Sequence, residues 1–175
     1  KDGGSDSMTI EYSRTYAIMT VDAGPDGFIN EGDIFLSAGS LSSVDGNLYT
    51  ATVDYGDGSG PQPLSLSSEY LFELSHRYLE NGFYTVLVVI FKDEVAVVSD
   101  SALVTVYNVA PVITSFASMP SDSCRLSNKL SLLGEFTDPG ILDSHIAFIE
   151  WGDGQTTVTD LPAGIYQVSG NHSYA

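Results

Sequence analysis

The sequence predicts an all-β protein built from two successive β-sandwiches, the second of them incomplete. Short segments rich in Val, Ile, Thr and aromatic residues alternate with turns that contain Gly, Pro and Asn, and one pattern of residues occurs twice. β-Branched and aromatic side chains favour the pleated surface of a strand, and short strands separated by turns are typical of a sandwich. No long stretch rich in Ala, Leu, Glu and Lys predicts a helix.

The first sandwich has five predicted strands, which cover residues 33–38, 48–55, 69–77, 83–92 and 102–107. The fourth is an almost continuous apolar run, so we expect it to be a central strand that is buried on most sides. Gly82 lies in the turn before it, where glycine supplies a positive φ at low cost. One more strand, 112–117, lies between two prolines and begins the second sandwich.

An internal repeat divides the chain. The sequence YGDG at 55–58 recurs as WGDG at 151–154, and HRY at 76–78 recurs as HSY at 172–174. Both pairs are separated by 96 residues. Two motifs repeated at one spacing indicate two copies of a single module.

The repeat sets the expected domain boundaries, with a first module over 22–110 and a second over 111–175. The first module continues through two strands after its HRY motif, whereas the second has one residue after HSY. We therefore expect the second module to lack its last two strands. Residues 1–21 are interpreted either as the last strand of an upstream repeat or as an extra strand of the first module. We expect the chain to be a segment of a longer protein.

The composition of the chain limits the classes of partner that it is expected to bind. Asp and Glu number 23 against 6 for Lys and Arg, which gives a formal net charge of −17. Such a charge repels nucleic acid and anionic lipid, so neither is expected as a partner. No apolar run reaches the roughly 18 residues of a membrane span, and no membrane insertion is expected. The acidity fits either of two interpretations, which are solubility alone and the binding of calcium or a similar hard cation.

The repeated GDG turns are the first candidate cation ligands. The structural interpretation is a tight turn in which the glycines take unusual backbone conformations and the aspartate bonds neighbouring N–H groups. The functional interpretation makes Asp57 and Asp153 ligands of a hard cation, which prefers several oxygen atoms.

A second set of oxygen ligands lies in the loop before the second GDG strand. Asp138 and Asp143 make this loop the richest oxygen cluster of the second module, so with Asp153 they form the favoured calcium site. The matching positions of the first module are Ser42 and Asn47, with Asp45 nearby. Asn47 and Asp57 are therefore expected to form a weaker copy of the site.

The two repeated histidines raise the question of catalysis. His76 and His172 occupy the same place in both copies, at a spacing typical of strands, which favours a repeated structural bond over a catalytic base. Nucleophile, zinc-protease and phosphate-binding motifs are all absent from the sequence. We expect the protein not to be an enzyme.

With these residues in view, the chain resembles the PKD (polycystic kidney disease) repeat family, in its bacterial tandem form. The resemblance covers nearly all of residues 22–175 and departs from the family where Tyr55 replaces a frequent Trp and where a long hydrophilic stretch, 59–68, is inserted. It rests on AGPD at 23–26, NEGD at 30–33, VDYGDG at 53–58, HRY at 76–78, GFYTV at 82–86 and NVAP at 108–111.

The resemblance implies tandem seven-stranded immunoglobulin-like sandwiches in an extracellular or cell-surface protein. It also implies that some bacterial members bind calcium near the start of the loop and the GDG turn. The expected function is a structural or adhesion module in a large surface or secreted protein, in contact with neighbouring domains and with a protein or polysaccharide surface partner. The alternative is an accessory carbohydrate- or protein-binding module of a secreted hydrolase. That function requires exposed aromatic residues, and the candidates Tyr49, Tyr70 and Phe72 are expected in the core.

Overall fold

The computed structural model describes residues 18–42, 47–120 and 129–174. Within these ranges the protein is all-β, with strands throughout and no helix. The prediction of an all-β protein is confirmed. No helix capable of crossing a membrane is found in the same ranges.

Within the described residues, the first module contains eight strands in two sheets. One sheet has the order β1-β3-β6, and the other has the order β2-β8-β7-β4-β5, in which the β2–β8 pair is parallel. The strands are β1 (Thr20–Asp22), β2 (Gly27–Asn30), β3 (Ile34–Ser42), β4 (Thr50–Asp54), β5 (Gln62–Leu64), β6 (Leu71–Arg77), β7 (Gly82–Lys92) and β8 (Val95–Tyr107).

The two sheets of the first module share one hydrophobic core. Phe35 and Phe72 come from the three-stranded sheet, and Val86, Val88 and Ile90 come from β7 in the five-stranded sheet. These three β7 side chains are each 0% exposed. They alternate along the strand because successive side chains point to opposite faces of a sheet. The arrangement is consistent with a β-sandwich.

Strand β7 is central, as predicted, since it lies between β8 and β4. The prediction that it is buried on most sides is wrong. Its outward side chains Phe83 and Leu87 are 79% and 40% exposed. A two-layer sandwich covers only one face of each sheet, and an apolar run in the sequence does not show which face is covered.

The second module forms two smaller sheets, with the orders β13-β10-β9 and β11-β12. Its core among the described residues consists of Leu132, Ile149 and Trp151, against which Leu130 and Val168 pack. The strands are β9 (Val112–Pro120), β10 (Lys129–Thr137), β11 (His145–Glu150), β12 (Thr156–Leu161) and β13 (Gln167–Ser173).

The second module differs from the first along β11. In the first module the equivalent strand, β4, pairs with β5 on one side and β7 on the other. In the described part of the chain β11 pairs with β12 alone. The inward-facing Ile113 and Phe116 of β9 are consequently 74% and 66% exposed. In the first module, β7 and β8 contribute buried side chains to the corresponding side of the core.

The chain enters the first module through β1. Thr20, Val21 and Asp22 pair with Ser42, Leu41 and Ser40 of β3 in antiparallel register. The described residues 20–22 therefore form the edge strand of the sheet that also contains β3 and β6. Residues 1–17 lie outside the described residues, so an upstream-repeat origin for them stays a prediction.

Candidate metal centre

The first GDG segment forms a tight turn directly after β4. Gly56 and Gly58 have φ angles of 75° and 87°, a region that residues with a Cβ rarely adopt. The Oδ1 atom of Asp57 accepts a hydrogen bond of 3.0 Å from the backbone N–H of Ser59. The predicted tight turn is confirmed, and so is the predicted hydrogen bond from a neighbouring backbone N–H to the aspartate.

The other oxygen of this aspartate faces a histidine. Oδ2 of Asp57 lies 2.8 Å from Nε2 of His76, which is on β6. The His76 ring stacks on Tyr55, with 4.2 Å between centroids and 11° between planes. The hydroxyl of Tyr78 donates to the carbonyl of Tyr55 at 2.9 Å. Together these contacts, which we call the Asp–His clamp, connect the GDG turn to the opposite sheet.

The second module repeats the Asp–His clamp. Oδ2 of Asp153 lies 2.8 Å from Nε2 of His172. The ring of His172 stacks on Trp151 at 4.9 Å and 15°, and the hydroxyl of Tyr174 donates to the Trp151 carbonyl at 2.9 Å. The prediction that the repeated histidine makes a repeated structural bond is confirmed.

The clamp changes the acidity of both aspartates. Burial raises the pKa of Asp57, but hydrogen bonds from Ser59 and His76 outweigh it, so the pKa lies below its ordinary value of 3.8. The pKa of Asp153 is lowered chiefly by the hydrogen bond from His172 and then by the backbone N–H of Gln155. Both carboxylates are therefore stabilised in their charged form by contacts within their own modules.

A separate acidic group lies where the two modules meet. One carboxylate oxygen each from Glu31, Asp138 and Asp143 lies within 4.8 Å of the other two. Glu31 follows β2 in the first module, and the two aspartates belong to the loop between β10 and β11 in the second. Glu31 is 1% exposed and Asp138 is 8% exposed. This group, the junction triad, could hold a metal ion.

Hydrogen bonds to residues of the first module and of the segment that follows it hold Glu31 in place. Its backbone N–H donates to the carbonyl of Tyr107 at 2.9 Å, and the next N–H, from Gly32, donates to Tyr78 at 2.8 Å. Its Oε1 accepts a hydrogen bond of 2.6 Å from the N–H of Val109, in the segment that joins the modules. The turn therefore presents the second oxygen, Oε2, toward the second module.

Local bonds hold the aspartates of the second module. Asp138 Oδ1 accepts from the N–H of Gly140 at 2.9 Å, and its Oδ2 lies 2.8 Å from Nε2 of His145. The His145 ring packs edge-on against Phe136. The N–H of Asp143 donates to the Gly140 carbonyl at 3.1 Å, which closes the turn between the two carboxylates.

The triad contains a buried oxygen without a hydrogen bond. Oε2 of Glu31 is buried and has no partner among the described residues. A Cβ placed on Gly140 would lie 2.9 Å from this atom and 2.6 Å from Oδ2 of Asp143. Both oxygens therefore face the small space above Gly140. Buried carboxylate oxygens are normally hydrogen-bonded or bound to a cation, so this oxygen points to a ligand.

A fourth carboxylate lies close to the triad. Burial and then the charges of Asp143 and Glu31 raise the pKa of Glu80 above its ordinary value of 4.5. Its Oε1 is also buried without a hydrogen-bond partner among the described residues. The backbone N–H of Leu142 in the second module donates to this carboxylate. Glu80 therefore adds negative charge to the same junction.

The structure separates the predicted ligands. Among the acidic residues that the structure describes, Asp138 and Asp143 share a group that could hold a metal ion, and Asp57 and Asp153 are outside it. Asp57 and Asp153 belong to the Asp–His clamps of their modules. The backbone carbonyl of Asn47 accepts a hydrogen bond from Tyr70.

Glu31 is not among the ligands predicted from the sequence. This residue lies more than 100 positions before Asp138, and only the junction brings the two together. Its one local signal was its position between Asn30 and Gly32, in the turn that resembles the start of a PKD repeat. An acidic residue in a turn is common on protein surfaces, so that signal did not identify a buried ligand.

No protein-family model matches the chain, and no curated protein matches it. Three carboxylates with oxygens within 4.8 Å of one another provide the oxygen ligands that hard cations prefer.

Proposed function

We propose that the chain is a non-catalytic spacer made of tandem PKD-like, immunoglobulin-like modules in an extracellular surface or secreted protein. The observation that carries the proposal is the contact between modules at the junction triad. Glu31 of the first module lies against Gly140 of the second, and a Cβ on Gly32 would lie 2.9 Å from Cβ of Pro139. A spacer requires successive modules to keep a defined relation, and close packing of two turns supplies one.

The segment between the modules supports the same function. The N–H of Val109 donates to the Glu31 carboxylate within a short connection from β8 to β9. A hydrogen bond to a charged group contributes roughly 1.5–3 kcal/mol. This bond holds the connecting segment against the first module before the second begins.

The repeated Asp–His clamp supports the tandem interpretation. Both copies use the same three side-chain types and the same 2.8 Å contact, although one packs Tyr55 and the other Trp151 on the histidine. Copies of one stabilising arrangement in successive modules are what a repeated structural domain requires.

We propose calcium as the cation of the junction triad. Calcium accepts six to eight oxygen ligands in flexible geometries, whereas magnesium demands a near-ideal octahedron. A site whose carboxylates come from two separately folded turns suits the more flexible ion. The triad supplies three carboxylates, and water or backbone oxygens would supply the remaining ligands.

The alternative function, an accessory binding module of a secreted hydrolase, has one favourable observation. Phe28 of β2 and Phe83 of β7 flank Thr105 on the outer face of the five-stranded sheet, and they are 69% and 79% exposed. The aromatic candidates from the sequence do not provide such a surface. Phe72 is buried in the core, and Tyr49 and Tyr70 are partly buried against it.

Distance measurements between the modules test the spacer function. Spin labels at Ser75→Cys and Thr156→Cys would report on the two modules, because both positions are exposed on strands. Cys124→Ser removes the single native cysteine. In the presence of calcium we expect one narrow distance distribution. A broad distribution, with Trp151 fluorescence still indicating a folded second module, would contradict a fixed spacer.

Binding assays test the alternative. Retention of the chain on insoluble polysaccharides, lost in a Phe28→Ala, Phe83→Ala variant, would favour the accessory-module function. Leu36→Ala is a suitable control, because Leu36 is 72% exposed on the opposite sheet.

A further inference from the structure

We propose that calcium at the junction triad acts as a reversible cross-link between the two modules, so that the calcium concentration decides whether their relative orientation is fixed or free. The inference rests on the proposed spacer function and adds the regulation of its junction.

The three carboxylates of the junction triad come from both modules. Glu31 belongs to the first module, and Asp138 and Asp143 belong to the second. Neither module can form the triad alone. An ion that binds all three carboxylates therefore favours the joined arrangement over any arrangement in which the modules have separated, by mass action.

One buried oxygen of the junction triad, Oε2 of Glu31, lacks a hydrogen bond. Glu31 is 1% exposed, its Oε1 is bonded to the N–H of Val109, and its Oε2 has no partner among the described residues. Oε2 faces the same space above Gly140 as Oδ2 of Asp143. A buried charged oxygen in this position is costly unless a cation or a donor reaches it.

Without a bound cation, the carboxylates at the junction repel one another. The three triad oxygens lie within 4.8 Å of one another, and the charges of Asp143 and Glu31 also act on the carboxylate of Glu80. Like charges at this separation repel, and partial burial reduces the screening by water. Removal of the cation therefore favours separation of the turn of Glu31 from the loop of the two aspartates.

The two aspartates of the junction triad occur in the second copy of the repeat but not at the matching positions of the first. The positions of the first module that correspond to Asp138 and Asp143 are Ser42 and Asn47, and neither of these residues carries a carboxylate. The affinity of oxygen sites for calcium follows the number of charged ligands. The calcium-dependent cross-link is thus encoded in the second copy of the repeat and not in the repeat as such.

The experiment combines calorimetry with the Ser75–Thr156 spin-label distances on the full 175-residue chain. Titration with CaCl2 should show one binding event, and MgCl2 should bind more weakly. Asp143→Asn should weaken calcium binding roughly tenfold or more, because affinity follows ligand charge. Asp160→Asn is the matched control, since Asp160 is exposed on β12 opposite Ile146 and should leave binding unchanged. Glu31→Gln is the partner variant from the first module, with circular dichroism and Trp151 fluorescence to verify that it folds.

For the unsubstituted chain, the distance distribution should be narrow with calcium and broad with chelator. For Asp143→Asn, the distribution should be broad even at calcium concentrations that saturate the unsubstituted triad. A narrow distribution in both conditions would overturn the calcium cross-link and leave the spacer function standing. A broad distribution in both conditions would overturn the spacer function and the cross-link with it. Calcium binding that Asp143→Asn and Glu31→Gln leave unchanged would place the ion elsewhere and overturn the proposed site.

Discussion

The Nε2 atom of His76 lies 2.8 Å from Oδ2 of Asp57, and this contact joins a strand of one sheet to the turn that ends a strand of the other. The aspartate side chain is 26% exposed and the histidine 17% exposed, so water screens the contact only in part. The same distance separates His172 and Asp153 in the second module. The pair is therefore a structural element of the repeat, and its loss should be visible in stability.

We expect His76→Ala to lower the free energy of unfolding of the first module by roughly 1.5–3 kcal/mol, the range for a hydrogen bond to a charged group. The variant removes both the bond to Asp57 and the stack on Tyr55. Urea denaturation followed by circular dichroism would measure the loss. Arg77→Ala, at the exposed neighbouring position, should change the stability much less. Equal losses in the two variants would show that the clamp contributes nothing specific.

The lowered pKa values of Asp57 and Asp153 predict acid sensitivity. A carboxyl whose pKa is lower in the folded than in the unfolded protein stabilises the fold above its unfolded pKa, and this stabilisation is lost as the pH falls through the folded value. The ordinary value is 3.8 for both groups, so stability should decline below about pH 4. Urea midpoints at pH 5 and pH 3 would measure the decline. Asp57→Asn combined with Asp153→Asn should reduce it, and an unchanged decline would assign it to other carboxyls.

Calcium should raise the melting temperature through the junction triad. An ion present at about 100 times its dissociation constant stabilises the folded state by about 2.7 kcal/mol. Thermal melts in calcium and in chelator should therefore differ by several degrees for the unsubstituted chain and much less for Asp143→Asn. Identical melts of the unsubstituted chain in calcium and chelator would leave solubility as the explanation of the net charge of −17.

Gly140→Ala should weaken cation binding without removing any carboxylate. The added Cβ would lie 2.6 Å from Oδ2 of Asp143 and 2.9 Å from Oε2 of Glu31, within the space that an ion would use. We expect affinity to fall by roughly tenfold or more, which corresponds to about 1.4 kcal/mol. Calorimetry with CaCl2 would measure it, with Asp160→Asn as the control. Unchanged affinity in a folded Gly140→Ala variant would exclude this space as the binding position.

The second module should gain stability from the strands that the first module has in addition. Residues 80–109, appended after Ala175, continue the repeat in register, because Ala175 corresponds to Leu79. By analogy with β4 and β7, the added hairpin should pair with β11 and cover Ile113 and Phe116. The midpoint of unfolding reported by Trp151 fluorescence should rise. A scrambled version of the appended segment is the control, and an equal effect of both segments would contradict specific pairing.

Local features of the fold were predictable from the sequence. Strand positions follow from β-branched and aromatic segments between turns, because these depend on neighbouring residues. The GDG turns were predictable for the same reason, since Gly56 and Gly58 adopt positive φ angles that other residues avoid. The repeat also predicted that His76 and His172 would make equivalent bonds, as they do.

The tertiary structure decided which distant residues meet. The sequence grouped Asp153 with Asp138 and Asp143, but a histidine two strands later along the chain binds Asp153 within the second module. The buried partner of the two aspartates is Glu31, which the packing of one module on the next supplies from a turn more than 100 residues earlier. Residue spacing carries no information about the angle at which two modules pack. The packing of the two modules adds Glu31 to the two aspartates of one loop, and together the three residues could hold a metal ion.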